Sequence, residues 1–320
     1  MMRMKGKIQH IVISLGIILF LMAPAEGFAQ QDPMYTQYMF NTQTINPAYA
    51  GSWESIGFMI MSRMQWAGIE GAPSTQTFSF QMPLRNERIG IGANLVNDRI
   101  GLEQRLMVSL DYSYKIVFDG YGNLRMGLKA GFSSYNNNLT DHILYDPVSD
   151  PSFIGDIDNK FMPNMGIGFL FDNQHFYVGI SMPKLLNTSV NAVNDKQDNS
   201  FPVKGELRHF FATAGYLYPI DNSIKLKPTI MLKSIAGAPL QLDLSANVLL
   251  KDKFWLGALY RTGDSFGFIA QWVFDKKLRV GYAVDFSTSQ LRKFHYGSHE
   301  IMISYEFKFL ERDVISPRYF

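Results

Sequence analysis

Residues 102–117 read LEQRLMVSLDYSYKIV, and the row formed by Leu102, Gln104, Leu106, Val108, Leu110, Tyr112, Tyr114 and Ile116 is apolar at nearly every position. The intervening Glu103, Arg105, Ser109, Asp111, Ser113 and Lys115 are polar. Successive side chains of a strand point to opposite faces, so one face of this stretch suits lipid and the other suits water. A tilted strand needs about 9–11 residues to cross a bilayer, whereas strands of soluble sheets average about 5–6. The stretch is long enough to cross, which points to a transmembrane barrel rather than a soluble sandwich.

The same alternation recurs along the chain. Leu124, Met126, Leu128, Ala130 and Phe132 oppose Arg125 and Lys129; Leu240, Leu242, Leu244, Ala246 and Val248 oppose Gln241, Asp243 and Asn247; Ile301, Ile303, Tyr305, Phe307 and Phe309 oppose Glu300, Ser304, Glu306 and Lys308. Strands are predicted at 57–66, 75–82, 89–97, 102–117, 123–135, 162–171, 176–182, 208–219, 224–235, 240–250, 254–261, 266–274, 278–286 and 300–309, about fourteen in all. The charged rows imply a hydrated or polar-packed lumen, since an unpaired charge in a dry interior is heavily penalised. Aromatic residues near strand ends, among them Trp66, Tyr112, Tyr114, Tyr216, Tyr218, Trp272, Phe274 and Phe286, suit an interfacial girdle.

Short polar turns are expected at 86–87, 119–123, 172–174, 221–223, 251–253 and 275–277, with longer connections at 136–161, 183–207 and 287–299 between them. In outer-membrane barrels the short turns are periplasmic and the longer loops extracellular. The fold class is therefore all-β: a transmembrane antiparallel up-and-down barrel with a short non-barrel N-terminal segment. An even strand number places both termini in the periplasm.

Arg3, Lys5 and Lys7 precede an apolar run from Ile11 to Met22 and small residues at Ala25, Gly27 and Ala29, the layout of a signal peptide. The run is shorter than the roughly 20 residues of a spanning helix, so cleavage is expected near Ala29. The domain division is a signal peptide at 1–29, a periplasmic or plug segment at 30–56, and a barrel with a short C-terminal tail at 57–320. The chain has no cysteine, hence neither a lipid-attachment site nor a disulfide framework. Hydrophobic residues make up 47% of the chain, yet mean hydropathy is only −0.05 and no long apolar run follows the leader, unlike a helical membrane protein. The net charge of +2 comes without a basic block, which argues against a nucleic-acid partner.

Residues 30–53, QQDPMYTQYMFNTQTINPAYAGSW, have no period of two, and Met34, Tyr35, Tyr38, Met39 and Phe40 are too apolar for a free linker. Such a segment either braces its own barrel or docks a partner. The run QDPMYTQYMFN followed by NPAYAG, together with RMQW at 63–66, GAPSTQT at 71–77, GSHEIMISYEF at 297–307 and the terminal SPRYF, resembles the PorP/SprF family of type IX secretion-associated outer-membrane proteins. The resemblance spans almost the whole chain after the leader. It implies a monomeric, non-enzymatic barrel of the type IX secretion and gliding apparatus, acting as a secretion-complex component or as the surface anchor of a large adhesin-like secreted protein. Candidate partner-docking residues are Tyr35, Tyr38, Met39, Phe40, Asn46, Pro47, Tyr49, Trp66, Arg318, Tyr319 and Phe320. The alternative, motivated by the polar rows, is a passive channel or hydrophobic-solute transporter.

Chemical motifs are weak. Gly90-Ile91-Gly92 echoes a dinucleotide loop but lies in a strand with no helix after it, so small inward residues of the barrel are the favoured reading. His295 and His299 are four apart, but in a loop and without the intervening Glu of a metalloprotease helix. Asp141, Asp146, Asp150, Asp156 and Asp158 crowd one connection without the spacing of an EF-hand, so a solvated loop is the favoured reading over calcium binding. His142, His175 and His209 are scattered, with no nucleophile elbow nearby. No catalytic residue, cofactor or metal is expected.

Overall fold

The computed structural model describes residues 32–53, 55–85, 87–138, 157–190, 203–236, 238–275 and 277–307. Among them, strands dominate because the alternating rows seen in sequence each find a face. They are β1 (Ile56–Met64), β2 (Ser74–Pro83), β3 (Ile89–Ile100), β4 (Glu103–Phe118), β5 (Gly122–Asn137), β6 (Ile157–Asp172) and β7 (Phe176–Met182). The second half adds β8 (His209–Tyr216), β9 (Ile224–Ile235), β10 (Gln241–Leu250), β11 (Phe254–Arg261), β12 (Ser265–Phe274), β13 (Leu278–Ser287) and β14 (Ser298–Phe307). Tyr218–Pro219 continues β8 beyond Leu217.

Each strand pairs antiparallel with its sequence neighbours, and β1 pairs with β14 from Ile56↔Phe307 to Met64↔His299, closing a fourteen-stranded barrel. Closure leaves the membrane-crossing sheet without an edge. The outer wall carries the apolar rows: Leu110 is 65% exposed, while its neighbour Asp111 is 3% exposed on the inside. At the end bearing the short turns, here the turn end, Phe254 stacks on Trp272 at 5.5 Å and Trp272 on Phe274 at 4.1 Å. At the opposite, loop end, Phe266 and Phe286 face out 5.5 Å apart. These rings occupy the levels where an interfacial girdle is expected.

All fourteen predicted strands are present, with two departures. First, β6 begins at Ile157, five residues before its predicted start, because residues 157–161 pair with β5 although their sequence does not alternate. Second, the connection at 183–207 contains a small hairpin, Thr188–Val190 paired with Val203–Glu206. The alternation of turn lengths is also looser than the sequence implied. At the loop end, β3 meets β4 through Gly101 and β11 meets β12 through residues 262–264, where Gly101 (φ 58°) and Gly263 (φ 70°) take the left-handed conformation of a tight turn.

The lumen is lined by buried polar and charged side chains. Several of its charges are paired across strands: Arg125 with Asp172 at 3.1 Å, Lys129 with Asp111 at 2.7 Å, Arg261 with Asp243 at 2.9 Å, and Arg279 with Glu306. Removing one partner of such a pair strands the other without solvent, at a cost of about 3–5 kcal/mol.

Candidate functional site

Residues 32–53 run through this lumen from one end to the other. They fold as three single-turn 3-10 helices, Tyr38–Phe40, Thr42–Thr44 and Pro47–Tyr49. The last shows how the sequence sets the path: Asn46 is extended (φ −138°, ψ 109°), as a residue before proline must be, and its side chain accepts the Ala48 N–H at 2.9 Å. Pro47 then starts the turn with a pre-set φ and no N–H to satisfy.

At the loop end, the Asp32 carboxylate lies 2.8 Å from Lys184 Nζ, 3.7 Å from Arg105 and 3.6 Å from His209 Nδ1. Burial works to raise the Asp32 carboxyl, but Lys184, His209 and Arg105 outweigh it and hold the group well below the usual carboxylate range. Tyr35 follows, its phenol 2.5 Å from Thr77 Oγ1 and its carbonyl accepting from Arg261 Nη2 at 3.1 Å. Burial pushes the Tyr35 and Tyr38 phenols above their ordinary value, so both remain neutral.

The tightest anchorage lies at the β1–β14 seam. Glu300 accepts the backbone N–H of Thr36 at 2.9 Å and of Gln37 at 3.0 Å. Arg63, paired in register with Glu300, donates to Glu300 at 3.2 Å, to Thr36 Oγ1 at 2.7 Å and to Asp285 at 2.8 Å. The Thr36 hydroxyl donates to Asp285 at 2.5 Å. Three wall strands and two segment residues thus share one buried network, with no side chain more than 2% exposed.

Further down, Lys227 Nζ reaches the Met39 carbonyl at 3.5 Å and sits 5.3 Å above the Phe40 ring, 5.9 Å from Tyr177 and 6.0 Å from Trp255. Gln43 donates to Asp111 at 3.1 Å, Asn46 to the Phe169 carbonyl at 3.1 Å, and Ser113 to the Ala50 carbonyl at 2.6 Å. At the turn end the Arg279 guanidinium lies 5.4 Å over Trp53. The buried Tyr38, Met39, Phe40, Tyr49 and Trp53 each add about 1.5–3 kcal/mol of apolar burial. Beside the segment a cavity of about 110 Å³ remains, lined by Asp32, Tyr35, Ile45, Lys129, Lys184 and Phe211. Drug-sized ligand sites run to about 300–1,000 Å³.

Of the candidate docking residues, Tyr35, Tyr38, Met39, Phe40, Asn46, Pro47 and Tyr49 are brought together inside the barrel, where their partners are wall residues. Trp66 is apart from them, in the loop after β1, its backbone N–H donating to Ser298 Oγ at 3.2 Å. Arg318, Tyr319 and Phe320 lie outside the described residues, as do the leader and the loop aspartates other than Asp158. Both chain termini, expected in the periplasm, lie outside the described residues; the described chain begins at Asp32 at the loop end and finishes at Phe307 at the turn end, because the segment traverses the whole lumen before β1 starts.

Of the wall residues that receive the segment, Asp111 and Glu300 were legible from sequence as inward-facing, but not what they receive; a further signal existed. A Cβ on Gly90 would stand 2.1 Å from the Ala50 carbonyl oxygen, and one on Gly127 would stand 2.2 Å from the Ala48 nitrogen. Glycines on the inward row of a strand mark close approach of another backbone. Gly90 and Gly92, the dinucleotide-like echo, are two of these contact points. His295 and His299 take separate partners: His295 Nδ1 accepts from Gly297 and His299 bonds the Tyr282 hydroxyl. Among the described residues no group of three or more His, Cys, Asp or Glu is placed to hold a metal.

A closed fourteen-strand barrel with an apolar outer wall, an aromatic girdle and a polar interior is an outer-membrane protein. The sequence model of the type IX secretion system membrane protein PorP/SprF family matches residues 27–305, and this chain belongs to that family. None of the curated proteins compared matches it. Among solved structures, the Acinetobacter baumannii outer membrane protein Omp33 is similar, with 8% identity and a TM-score of 0.47 over 80% of this chain and 100% of that one. A Pseudomonas aeruginosa FadL homologue is 10% identical (TM-score 0.48; 90% and 96% covered), as is the Pseudomonas putida toluene transporter TodX (TM-score 0.48; 90% and 98% covered).

Proposed function

We propose that the barrel is a non-conducting platform of the type IX secretion and gliding apparatus that holds a large adhesin-like secreted protein at the cell surface. The observation that carries this reading is the filled lumen: residues 32–53 occupy it and exchange hydrogen bonds with strands all round the wall. A solute route needs a continuous opening, and here the segment takes that space. Family membership supplies the link to secretion, and the barrel supplies a rigid scaffold on which exposed loops present binding residues. Residues 1–29 act as a cleaved signal peptide, the short turns face the periplasm and the loops face outward. Lipid contacts the apolar wall, and no enzymatic step is assigned.

Purification of the full chain from its native outer membrane in mild detergent should recover a large secreted partner or secretion components. Repeated isolation of the bare barrel would contradict the proposal. Orientation has its own test, made simple by the absence of native cysteine. In intact cells a membrane-impermeant maleimide should label Tyr296→Cys at the loop end and spare Asp221→Cys at the turn end; the reverse pattern would invert the barrel.

A further inference from the structure

His209 opens β8 at the loop end and lies inside the mouth of the lumen, 1% exposed. Its tautomer is fixed by a neighbour. Nδ1 stands 2.9 Å from the Leu207 carbonyl, and since a carbonyl can only accept, Nδ1 carries the proton. The nitrogen left to take up a second proton is Nε2, which is buried and has no hydrogen-bond partner among the described residues. An imidazolium here would bury a charged N–H with nothing to receive it.

Charged groups from several elements face this ring. Asp32 of the segment lies 3.6 Å from Nδ1, and Lys184, after β7, holds the same carboxylate at 2.8 Å. Arg105 of β4 reaches Asp32 at 3.7 Å and is paired in register with Asp98 of β3. Lys184 also lies 3.3 Å from Glu206 at the end of the small hairpin, and Glu206 accepts from Ser133 and Asn164 at 2.6 Å each. On β9, Lys233 lies diagonal to His209 on the inner face, because His209 pairs with Ile235 and Phe211 with Lys233. Lys233 is 1% exposed, its Nζ has no hydrogen-bond partner among the described residues, and it also faces Arg261, Asp243 and Asp264. A charge added at His209 would thus meet Lys184 and Lys233 as like charges, beside an Asp32 that already serves two cations.

We propose that His209 is a pH-sensitive clasp at the loop-end mouth: its protonation loosens residues 32–34, while the seam network at Thr36 and Gln37 keeps the rest of the segment in the lumen. The clasp is complete while His209 is neutral and is lost as pH falls through the imidazole range, from about pH 7.5 to about pH 5. The Asp32 carboxyl, held well below the usual carboxylate range, stays ionised across that span, so the response belongs to the histidine. The test uses the full chain in lipid vesicles, with a nitroxide spin label at Pro33→Cys in the mouth or at Thr44→Cys deeper in the segment; no native cysteine competes. Both labels should be immobile at about pH 7.5 by electron paramagnetic resonance. At about pH 5 the mobile fraction at position 33 should rise roughly threefold or more, reversibly, with position 44 unchanged.

His209→Gln, neutral at both pH values, should keep the label at 33 immobile throughout. Lys233→Met removes a like charge without stranding a hydrogen-bond partner, so it should move the midpoint to higher pH and keep the heat-modifiable gel migration of a folded barrel. If His209→Gln does not give a folded barrel, that shift decides. Mobility at 33 that ignores pH would overturn the clasp, as would an unchanged response in His209→Gln or a midpoint unmoved by Lys233→Met. Release of the label at 44 together with that at 33 would overturn the hold of the seam network below the mouth.

Discussion

Replacing Glu300 with alanine is expected to release the lumen-filling segment and to weaken the folded barrel by about 3 kcal/mol or more, the lower end of the cost of breaking a buried ion pair. The magnitude follows from what Glu300 holds. Its two oxygens accept the N–H groups of Thr36 and Gln37 and the Arg63 guanidinium, all buried. Without it those two N–H groups lose their acceptor, and Arg63 keeps only Asp285 and Thr36. A buried donor left unmade costs about 1–3 kcal/mol by itself. Denaturant midpoints of the detergent-solubilised protein read the stability, and planar-bilayer recording reads the release as new conductance. Glu300→Gln keeps the shape and one acceptor and should lose less than alanine. An alanine variant as stable and as silent as the parent would remove the seam network from the account.

Gly127→Val is expected to displace the segment by a different route. The added Cβ would meet the Ala48 nitrogen at 2.2 Å and the Pro47 carbonyl carbon at 2.4 Å, both backbone atoms that cannot swing aside. Overpacking of this kind costs about 1–3 kcal/mol when the surroundings yield. Here the element that yields is the segment, because β5 is bonded to β4 and β6 along its length. Valine is a good strand former, so the wall itself should assemble and keep its heat-modifiable migration. Ala130→Val, on the outward row of the same strand, is the control and should change nothing. A silent, fully stable Gly127→Val barrel would mean that the segment does not pack against β5.

The barrel was legible because lipid on one side and paired charges on the other force a strict two-residue period, as in Leu124 to Phe132 against Arg125 and Lys129. Periodicity failed where that double constraint ends. Residues 157–161 pair with β5 at the loop end, yet the successive polar Asp158, Asn159 and Lys160 break the two-residue period, so nothing in IDNKF marks a strand. The segment's apolar content identified it as packed, but not where. Its partners, Arg63, Asp285 and Glu300 among them, lie up to 264 positions away in sequence. Such contacts leave no local pattern except small inward residues: Gly90 and Gly92 read as such from sequence, but nothing local shows which backbone they admit.

The filled lumen is the claim on which the rest depends, and planar-bilayer recording of the purified full-length barrel tests it most directly. The unaltered protein should show no sustained conductance, with steps appearing in Glu300→Ala. A stable, long-lived conductance of the unaltered protein would contradict the account and return the barrel to the channels.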